Sequence, residues 1–454
     1  MGDTLLSVGL DVGTTSTQLI VSQLEIENRA SGFAVPEMAI ADRQVLYKSP
    51  IHFTPLLREE LVDGDGIRAI VGQEYAAAGI TRQQVDTGAI IITGETSRKE
   101  NAAAVLSALS DYAGEFVVAT AGPDLESILA AKGAGAVSYS EQTGKTVLHM
   151  DIGGGTSNLA FIENGQITAT ACFNVGGRLI KLDTQGVITY LSPVLQGITD
   201  LKPGQQVTET EIRALAQSLV QVLEMAASLQ PRTPLLEHFV TADSQKIWTH
   251  TPENTVISFS GGVADCIENR YPWLQFGDIG PILGQVIRNS RLCRGTYILG
   301  TETIRATVIG AGCHSAQLSG STVYSRGVTF PLKNLPVVRP IRLEEPAIRD
   351  AMARQEGPCV LTFPGESQPS YESICALADL LCKTAVSDKL YLAMETDMAK
   401  ALGQALALRM PQAEILSIDR IRLAPDSYLD VGAPVGPALP VVVKTLILSG
   451  KEPL

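Results

Sequence analysis

An α/β fold built by internal duplication is what the sequence predicts, and three observations predict it. Two are short stretches of one design: Asp11-Val-Gly-Thr-Thr-Ser-Thr-Gln18 and Asp151-Ile-Gly-Gly-Gly-Thr-Ser-Asn158. In each, an apolar strand runs into Asp-x-Gly and small hydroxyl residues, then into a second apolar strand. Glycines let the backbone turn sharply and bring N–H groups against a phosphate, hydroxyls add donors, and a carboxylate at the strand end can hold Mg²⁺ through its waters. One such turn alone would read as a structural hairpin. Two, in the same strand context, read as one hairpin from each half gripping the same triphosphate. The third observation is the strand, helix, strand alternation along the chain, which calls for parallel sheets.

Taken in order, Leu5–Ile26 reads as a β-hairpin around the first loop and Val45–Phe53 as a further strand. Arg58–Asp86, rich in charge and glycine, holds a short helix near Gly72–Ala78. Ala89–Thr93 is a buried strand, Arg98–Ala113 a helix by the spacing of its apolar residues, and Glu115–Ala119 a strand. Glu126–Gly135 is helix-like and ends in small residues. The scheme restarts at Val147. Between Gly186 and Thr255 the pattern predicts a helix over Glu209–Ser228, opened by Thr208-Glu-Thr-Glu as a cap. Thr255–Ser260 is a strand that ends in Gly261-Gly262 and leads into a helix start at Val263–Ile267, an arrangement that lets a flat adenine or ribose approach bare backbone. Arg305–Gly312 is a second helix-like segment ending in small residues, and two such faces allow helices to cross closely. Beyond it, Pro358–Phe363, Tyr371–Lys383, Lys389–Met394, Asp397–Arg409 and Glu414–Leu423 alternate strand and helix as a C-terminal α/β region, with the Pro-rich stretch Pro331–Pro346 as its linker.

Composition narrows the function classes. A chain of 454 residues exceeds one compact core and predicts two or three domains. Lys and Arg total 35 against 48 Asp and Glu, a net charge of −13, and no basic run exists to release counterions from a nucleic acid. No apolar run approaches the ~20 residues of a spanning helix, and Met1-Gly-Asp-Thr-Leu-Leu lacks a basic region ahead of an apolar stretch, so a cytoplasmic protein is expected. Seven cysteines without a C-x-x-C predict reduced thiols, and the histidines show no zinc-ligand spacing.

The order phosphate 1, connect 1, phosphate 2, adenosine, connect 2, over roughly Leu5 to Gly312, resembles the actin, Hsp70 and sugar-kinase ATPase superfamily. Within it the chain is most similar to the ethanolamine ammonia-lyase reactivating family of the ethanolamine utilization system. Four stretches carry that likeness: Ser49-Pro-Ile-His-Phe-Thr-Pro-Leu56, Thr87-Gly-Ala-Ile-Ile-Ile-Thr-Gly-Glu-Thr-Ser-Arg-Lys-Glu-Asn101, Phe116-Val-Val-Ala-Thr-Ala-Gly-Pro-Asp-Leu-Glu126 and Asn174-Val-Gly-Gly-Arg-Leu-Ile180. The resemblance implies a duplicated actin-like (ribonuclease H-like) ATPase core with small inserted subdomains. Its first half covers 1–145 with an insertion at about 54–88, its second 146–325 with an insertion at about 186–254, and a C-terminal α/β domain follows over 326–454.

It also implies ATP and Mg²⁺ as cofactors. Asp11 and Asp151 are then the residues for Mg²⁺, through its waters. Gly13, Thr14, Thr15, Gly153, Gly154, Gly155 and Thr156 would bind phosphates, and Gly261 and Gly262 would face the adenosine. Glu126 matches the family's connect 1 acid by its distance to Gly133-Ala-Gly135, and would orient water in a catalytic set with Asp151 and Asn158. Asn158 departs from the Hsp70-like pattern, which has a second Asp there. An amide can hydrogen-bond a water but cannot take its proton, so turnover should be slow. Arg178 either reaches a phosphate or is a surface charge. The implied activity is an ATP-dependent, chaperone-like reactivation, and the implied partner is ethanolamine ammonia-lyase with bound cobalamin, whose damaged cobalamin is exchanged for intact adenosylcobalamin. Homo-oligomers and association with the ethanolamine-utilization microcompartment are compatible with this; nucleic acid and membrane are not expected. A small-molecule kinase of the sugar-kinase type shares the core but needs a carboxylate base at its acceptor cleft, which no second strong motif supplies. An actin-type filament protein shares it too. Another relative, the activator of 2-hydroxyacyl-CoA dehydratases, looks to an iron–sulfur cluster at its subunit interface, for which Cys313 is a lone candidate.

Overall fold

Strands on either side of each Asp-x-Gly loop form the spine of two matching sheets in the computed structural model. It describes all residues except 1–2, 14–15, 29–37, 59–60, 94–116, 121–122, 242–247, 249, 253, 315, 320–321, 356, 386, 424–426, 435–437 and 446–454. The expected helix Arg98–Ala113 and the residues Thr14 and Thr15 lie outside the described residues. In the first sheet β1 (Asp3–Val12) pairs antiparallel with β2 (Ser16–Asn28), and β2 with β3 (Met38–Lys48). On the other side of β1, β4 (Thr87–Ile92) and then β5 (Val117–Thr120) join in parallel. The second sheet repeats this scheme with β6 (Val147–Ile152), β7 (Ser157–Glu163), β8 (Gln166–Phe173), β9 (Val256–Ser260) and β10 (Tyr297–Leu299). The orders are β3-β2-β1-β4-β5 and β8-β7-β6-β9-β10, with the same strand senses. Three antiparallel strands continued by two parallel ones, made twice, are the duplicated actin-like core that the resemblance implies.

The period of two along each strand decides what its faces meet. Val8, Leu10 and Val12 of β1, with Ile90 and Ile92 of β4, face α1 (Gly64–Ala78) through its stripe Ile67, Val71 and Tyr75. This helix begins well before the expected Gly72, because Asp63 caps it by accepting from the Gly66 N–H at 3.0 Å. The expected strand Val45–Phe53 is broken: β3 stops at Lys48, and His52–Phe53 pairs anew with the start of β2. Pro50 has no N–H to continue a ladder, and the Ser49 N–H turns to the Leu19 carbonyl at 2.9 Å.

The opposite, inner faces meet two crossing helices. α2 (Pro123–Gly133) follows the first sheet in sequence yet packs on the second, where Ala131 joins Val147, Ala160 and Ile162. On the outer face of that second sheet lies α3 (Glu209–Ala226), opened as expected by a capping box in which Thr208 N–H donates to Glu211 Oε2 at 2.8 Å and Glu211 N–H to Thr208 Oγ1 at 3.3 Å. α4 (Ala306–His314) follows the second sheet yet packs on the first, where Val308, Ile309 and Cys313 surround Ile20. The helices cross where they have no side chains. A Cβ on Gly133 would run into the Ala306 carbonyl, and one on Gly310 into the Leu129 carbonyl.

A third sheet holds β11 (Ala316–Leu318), β12 (Tyr324–Arg326), β13 (Leu332–Val338), β14 (Val360–Phe363), β15 (Lys389–Met394), β16 (Glu414–Ile418), β17 (Ser427–Val431) and β18 (Pro440–Thr445). Its order is β11-β18-β17-β13-β14-β15-β16-β12, with β13 to β16 parallel. The stretch Pro331–Pro346 is therefore no linker: its first part, Leu332–Val338, is β13, in the middle of the sheet. Leu335, Val337 and Val338 are buried there, and the ladder to β17 is irregular between Leu332 and Leu335, where the Asn334 N–H donates to Asp430 Oδ1 at 2.6 Å instead. An interrupted ladder is the setting in which a strand tolerates proline. Val442 of β18 packs with Leu5, Leu24, Ile26 and Ile40, seating this sheet on the first.

Gly133→Ala or Gly310→Ala should force the crossing helices apart and lower stability by about 1–3 kcal/mol, as overpacking does. Gly295→Ala, where a Cβ meets nothing within 4 Å, should stay within about 0.5 kcal/mol of the parent in equilibrium denaturation.

Candidate functional site

Both Asp-x-Gly loops close in the same way. The Gly13 N–H donates to the Ser16 carbonyl at 2.9 Å, and the Gly153 N–H to the Thr156 carbonyl at 2.9 Å. Each loop is then tied down from outside. Thr54 Oγ1 donates to the Gly13 carbonyl at 2.7 Å. Gly177 N–H donates to the Gly153 carbonyl at 3.0 Å, and Arg178 N–H to the Gly154 carbonyl at 2.6 Å. A trans peptide points its N–H opposite to its C=O. With those two carbonyls turned toward Gly177 and Arg178, the N–H groups of Gly154 and Gly155 point the other way, in a loop that keeps part of its surface open from Gly153 to Thr156.

Asp11 and Asp151 end β1 and β6 on the faces that meet the crossing helices. Thr93, just past β4, donates to Asp11 Oδ1 at 2.8 Å. Burial nevertheless pushes the Asp11 carboxyl up to about 7; Thr93 opposes the rise and the charge of Asp151 adds to it. Asp151 is pushed up to about 6 by burial, against hydrogen bonds from Ser260 and from Thr307 of α4. The two carboxylates thus sense each other from opposite halves, in a place that resists negative charge and would welcome a cation.

Behind Asp151 lies a buried polar chain. Ser260 donates to Asp151, which leaves its oxygen to accept from His149 Nε2–H at 3.0 Å, while His149 Nδ1 accepts from Ser258 Oγ–H at 3.0 Å. Burial drives the imidazole down to about 3, so it is neutral. Sequence reasoning missed Thr93, His149, Ser258, Ser260 and Thr307. The available signal was polar residues alternating inside otherwise apolar strands, as in Val256-Ile-Ser-Phe-Ser260.

The other expected residues fall into distinct places. Gly261, at φ +87°, sits so close to Ile152 that a Cβ would meet its carbonyl, so it serves the turn. A Cβ at Gly262 would meet only Ile304 Cδ1, at 3.9 Å, and its backbone is accessible. Glu126 stands half-buried in the first turn of α2. Asn158 is buried on β7, directly across from Asp151. Arg178 lays its stem along Gly154 and pairs through Nε with Asp278 Oδ2 at 3.1 Å, so it braces the second loop. Cys313 is buried with Sγ 3.1 Å from Ser22 Oγ, and burial pushes its thiol up. Among the described residues no three His, Cys, Asp or Glu side chains form a metal-holding group, and no helix is long and apolar enough to cross a membrane.

Known proteins resemble this chain along its length. The family model of ethanolamine utilisation protein EutA matches residues 3–449. The ethanolamine ammonia-lyase reactivase EutA of Salmonella typhimurium strain LT2 is 39% identical over 470 residues, covering 97% of this chain and 98% of that protein. Its counterpart from Escherichia coli strain K12 is 37% identical over 471 residues, with 97% and 98% covered. Among solved structures, the activator of the 2-hydroxyisocaproyl-CoA dehydratase from Clostridium difficile with bound ADPNP overlaps 68% of this chain and 93% of its own, at 12% identity and a TM-score of 0.35. At that distance the overlap adds nothing to the sequence relationship.

The raised carboxyls make a signed prediction for the protein free of nucleotide and divalent cations. Folded Asp11 holds its proton up to about 7 against an ordinary value of 3.8. Its contribution to stability is therefore full below the unfolded value and lost as pH rises through about 7. Thermal midpoints measured in EDTA should fall between pH 5 and 8. Asp11→Asn, which has no proton to lose, should flatten that slope and leave the variant more stable than the parent at pH 8.

Proposed function

The chain belongs to the ethanolamine utilisation protein EutA family, and on that footing we propose that it is an ATP-dependent reactivase of ethanolamine ammonia-lyase. The observation that carries this reading is the pair of carboxylates, Asp11 and Asp151, brought within electrostatic reach by two like hairpins from opposite halves. Their oxygen-only chemistry and resistance to ionisation suit a hydrated divalent cation better than an empty cleft. When bound, Mg²⁺ would neutralise phosphate charge. The N–H groups of Gly154 and Gly155 would cradle phosphate oxygens, with Gly13 and Thr156 flanking and Arg178 bracing the loop. Thr14 and Thr15 would add hydroxyl donors, and Gly262 would admit the adenosine. Glu126 and Asn158 would orient water, and since neither Asn158 nor neutral His149 takes up a proton readily, hydrolysis would be slow.

Slow hydrolysis suits a switch. Nucleotide shifts a two-state protein only by its differential affinity for the states, so the lyase must bind the ATP and ADP forms unequally. Release of damaged cobalamin from the partner, and entry of intact adenosylcobalamin, would follow from that difference.

With Mg-ATP and free adenosylcobalamin, the protein should restore ethanolamine deamination to a lyase blocked with a cobalamin lacking the adenosyl group, with corrin release followed by absorbance. Asp151→Asn should lower ATP hydrolysis by at least about tenfold and abolish the rescue. Rescue equally good without nucleotide would defeat the mechanism. Phosphate transfer from ATP to a small metabolite would make the protein a kinase.

A further inference from the structure

The register of the two hairpins places an amide opposite each carboxylate. Gln18 on β2 is the direct antiparallel partner of Asp11, and Asn158 on β7 is the direct partner of Asp151. Directly opposed residues project from the same face, with Cβ atoms about 4.5–5.5 Å apart. Gln18 is 3% exposed and Asn158 2% exposed. Among the described residues, Gln18 Oε1 and Asn158 Oδ1 are both buried without a hydrogen-bond partner. Two orphaned amide oxygens at matching positions of a duplicated core call for a common cause, since a buried acceptor left unpaired costs about 1–3 kcal/mol.

The Gln18 amide is held the right way round. Its Nε2 faces the Ile304 carbonyl at 3.4 Å; turning the amide over would set oxygen against oxygen. Oε1 is therefore directed away from Ile304. What it lacks is a donor, and phosphate oxygens have none to offer. Metal-bound water does, because Mg²⁺ keeps several of its waters when it binds.

We infer that Gln18 and Asn158 complete a four-acceptor setting for a hydrated divalent cation, their amide oxygens taking hydrogen bonds from its waters beside the carboxylates of Asp11 and Asp151. Gln18 is the new member. It is a positioning residue for the cation and does no chemistry on the nucleotide. The arrangement rests on the ATP-binding reading of the cleft, and it fits the finding that among the described residues no three acid, thiol or imidazole side chains gather as a metal-holding group.

The test is the ratio of ADP affinity in Mg²⁺ to ADP affinity in EDTA, measured by calorimetry on the full chain. Gln18→Met keeps the length of the side chain but removes the acceptor, and should lower the ratio about tenfold. Gln18→Glu keeps the shape and adds a charge that only a cation makes tolerable, and should raise it. Opposite movements of the two variants support the inference, since a packing role would move both the same way or neither. If the parent shows a strong Mg²⁺ dependence that Gln18→Glu and Gln18→Met leave unchanged, the orphaned oxygens serve an ordinary buried water and the inference is wrong. Failure of the parent to bind ADP under either condition would overturn the ATP-binding reading itself, and the inference with it.

Discussion

The crossing of α2 and α4 at Gly133 and Gly310 is the contact on which the rest of the molecule depends. Helices packed through side chains stand about 8–10 Å apart. Here backbone meets backbone, and the two sheets that sandwich the helices come correspondingly close. That proximity brings the carboxylates at the ends of β1 and β6 into each other's field. It also lets Thr307 of α4 reach Asp151, and Gln18 of β2 reach the Ile304 carbonyl just ahead of α4. The short segment 304–307 thus serves both carboxylates, meeting Gln18 of the first half through Ile304 and Asp151 of its own half through Thr307.

The site is built on tension between burial and charge. Asp11 and Asp151 stay in a half-enclosed cleft, and each is opposed by hydroxyl donors that only partly offset the cost of ionisation. Ser260, His149 and Ser258 extend one of these supports deep into the second sheet without adding a charge. Since His149 is neutral, the chain orients the Asp151 carboxylate and does not compensate it. Arg178, which the sequence left between a phosphate contact and a surface charge, is engaged by Asp278 and holds the loop.

Much of this was legible in the sequence where chemistry is local. The two Asp-x-Gly turns, the cap at Thr208 and the small-residue helix ends announce themselves within a few residues, because backbone geometry alone demands them. The misreadings occur where pairing decides. Pro331–Pro346 looked like a linker because its prolines outweigh its Leu335-Pro-Val-Val338 core, and only the neighbouring strands reveal the irregular ladder that tolerates them. Gln18 stood in plain view at the end of the first motif, yet its meaning depends on lying opposite Asp11, a fact of register that no single-strand pattern states. Gly261 and Gly262 looked alike as a pair, but Ile152 crowds one and leaves the other open.

The exchange of helices between the halves also sets the order in which the molecule can finish itself during synthesis. The second sheet meets α2, which has already left the ribosome when β6 appears. The first sheet has no such advantage: Gly9 and Ile20 meet α4, and α4 emerges only after the entire second sheet has been made. Nascent chains therefore carry an incomplete first half through most of translation, and the last turn of the core to arrive is the one that locks both halves together.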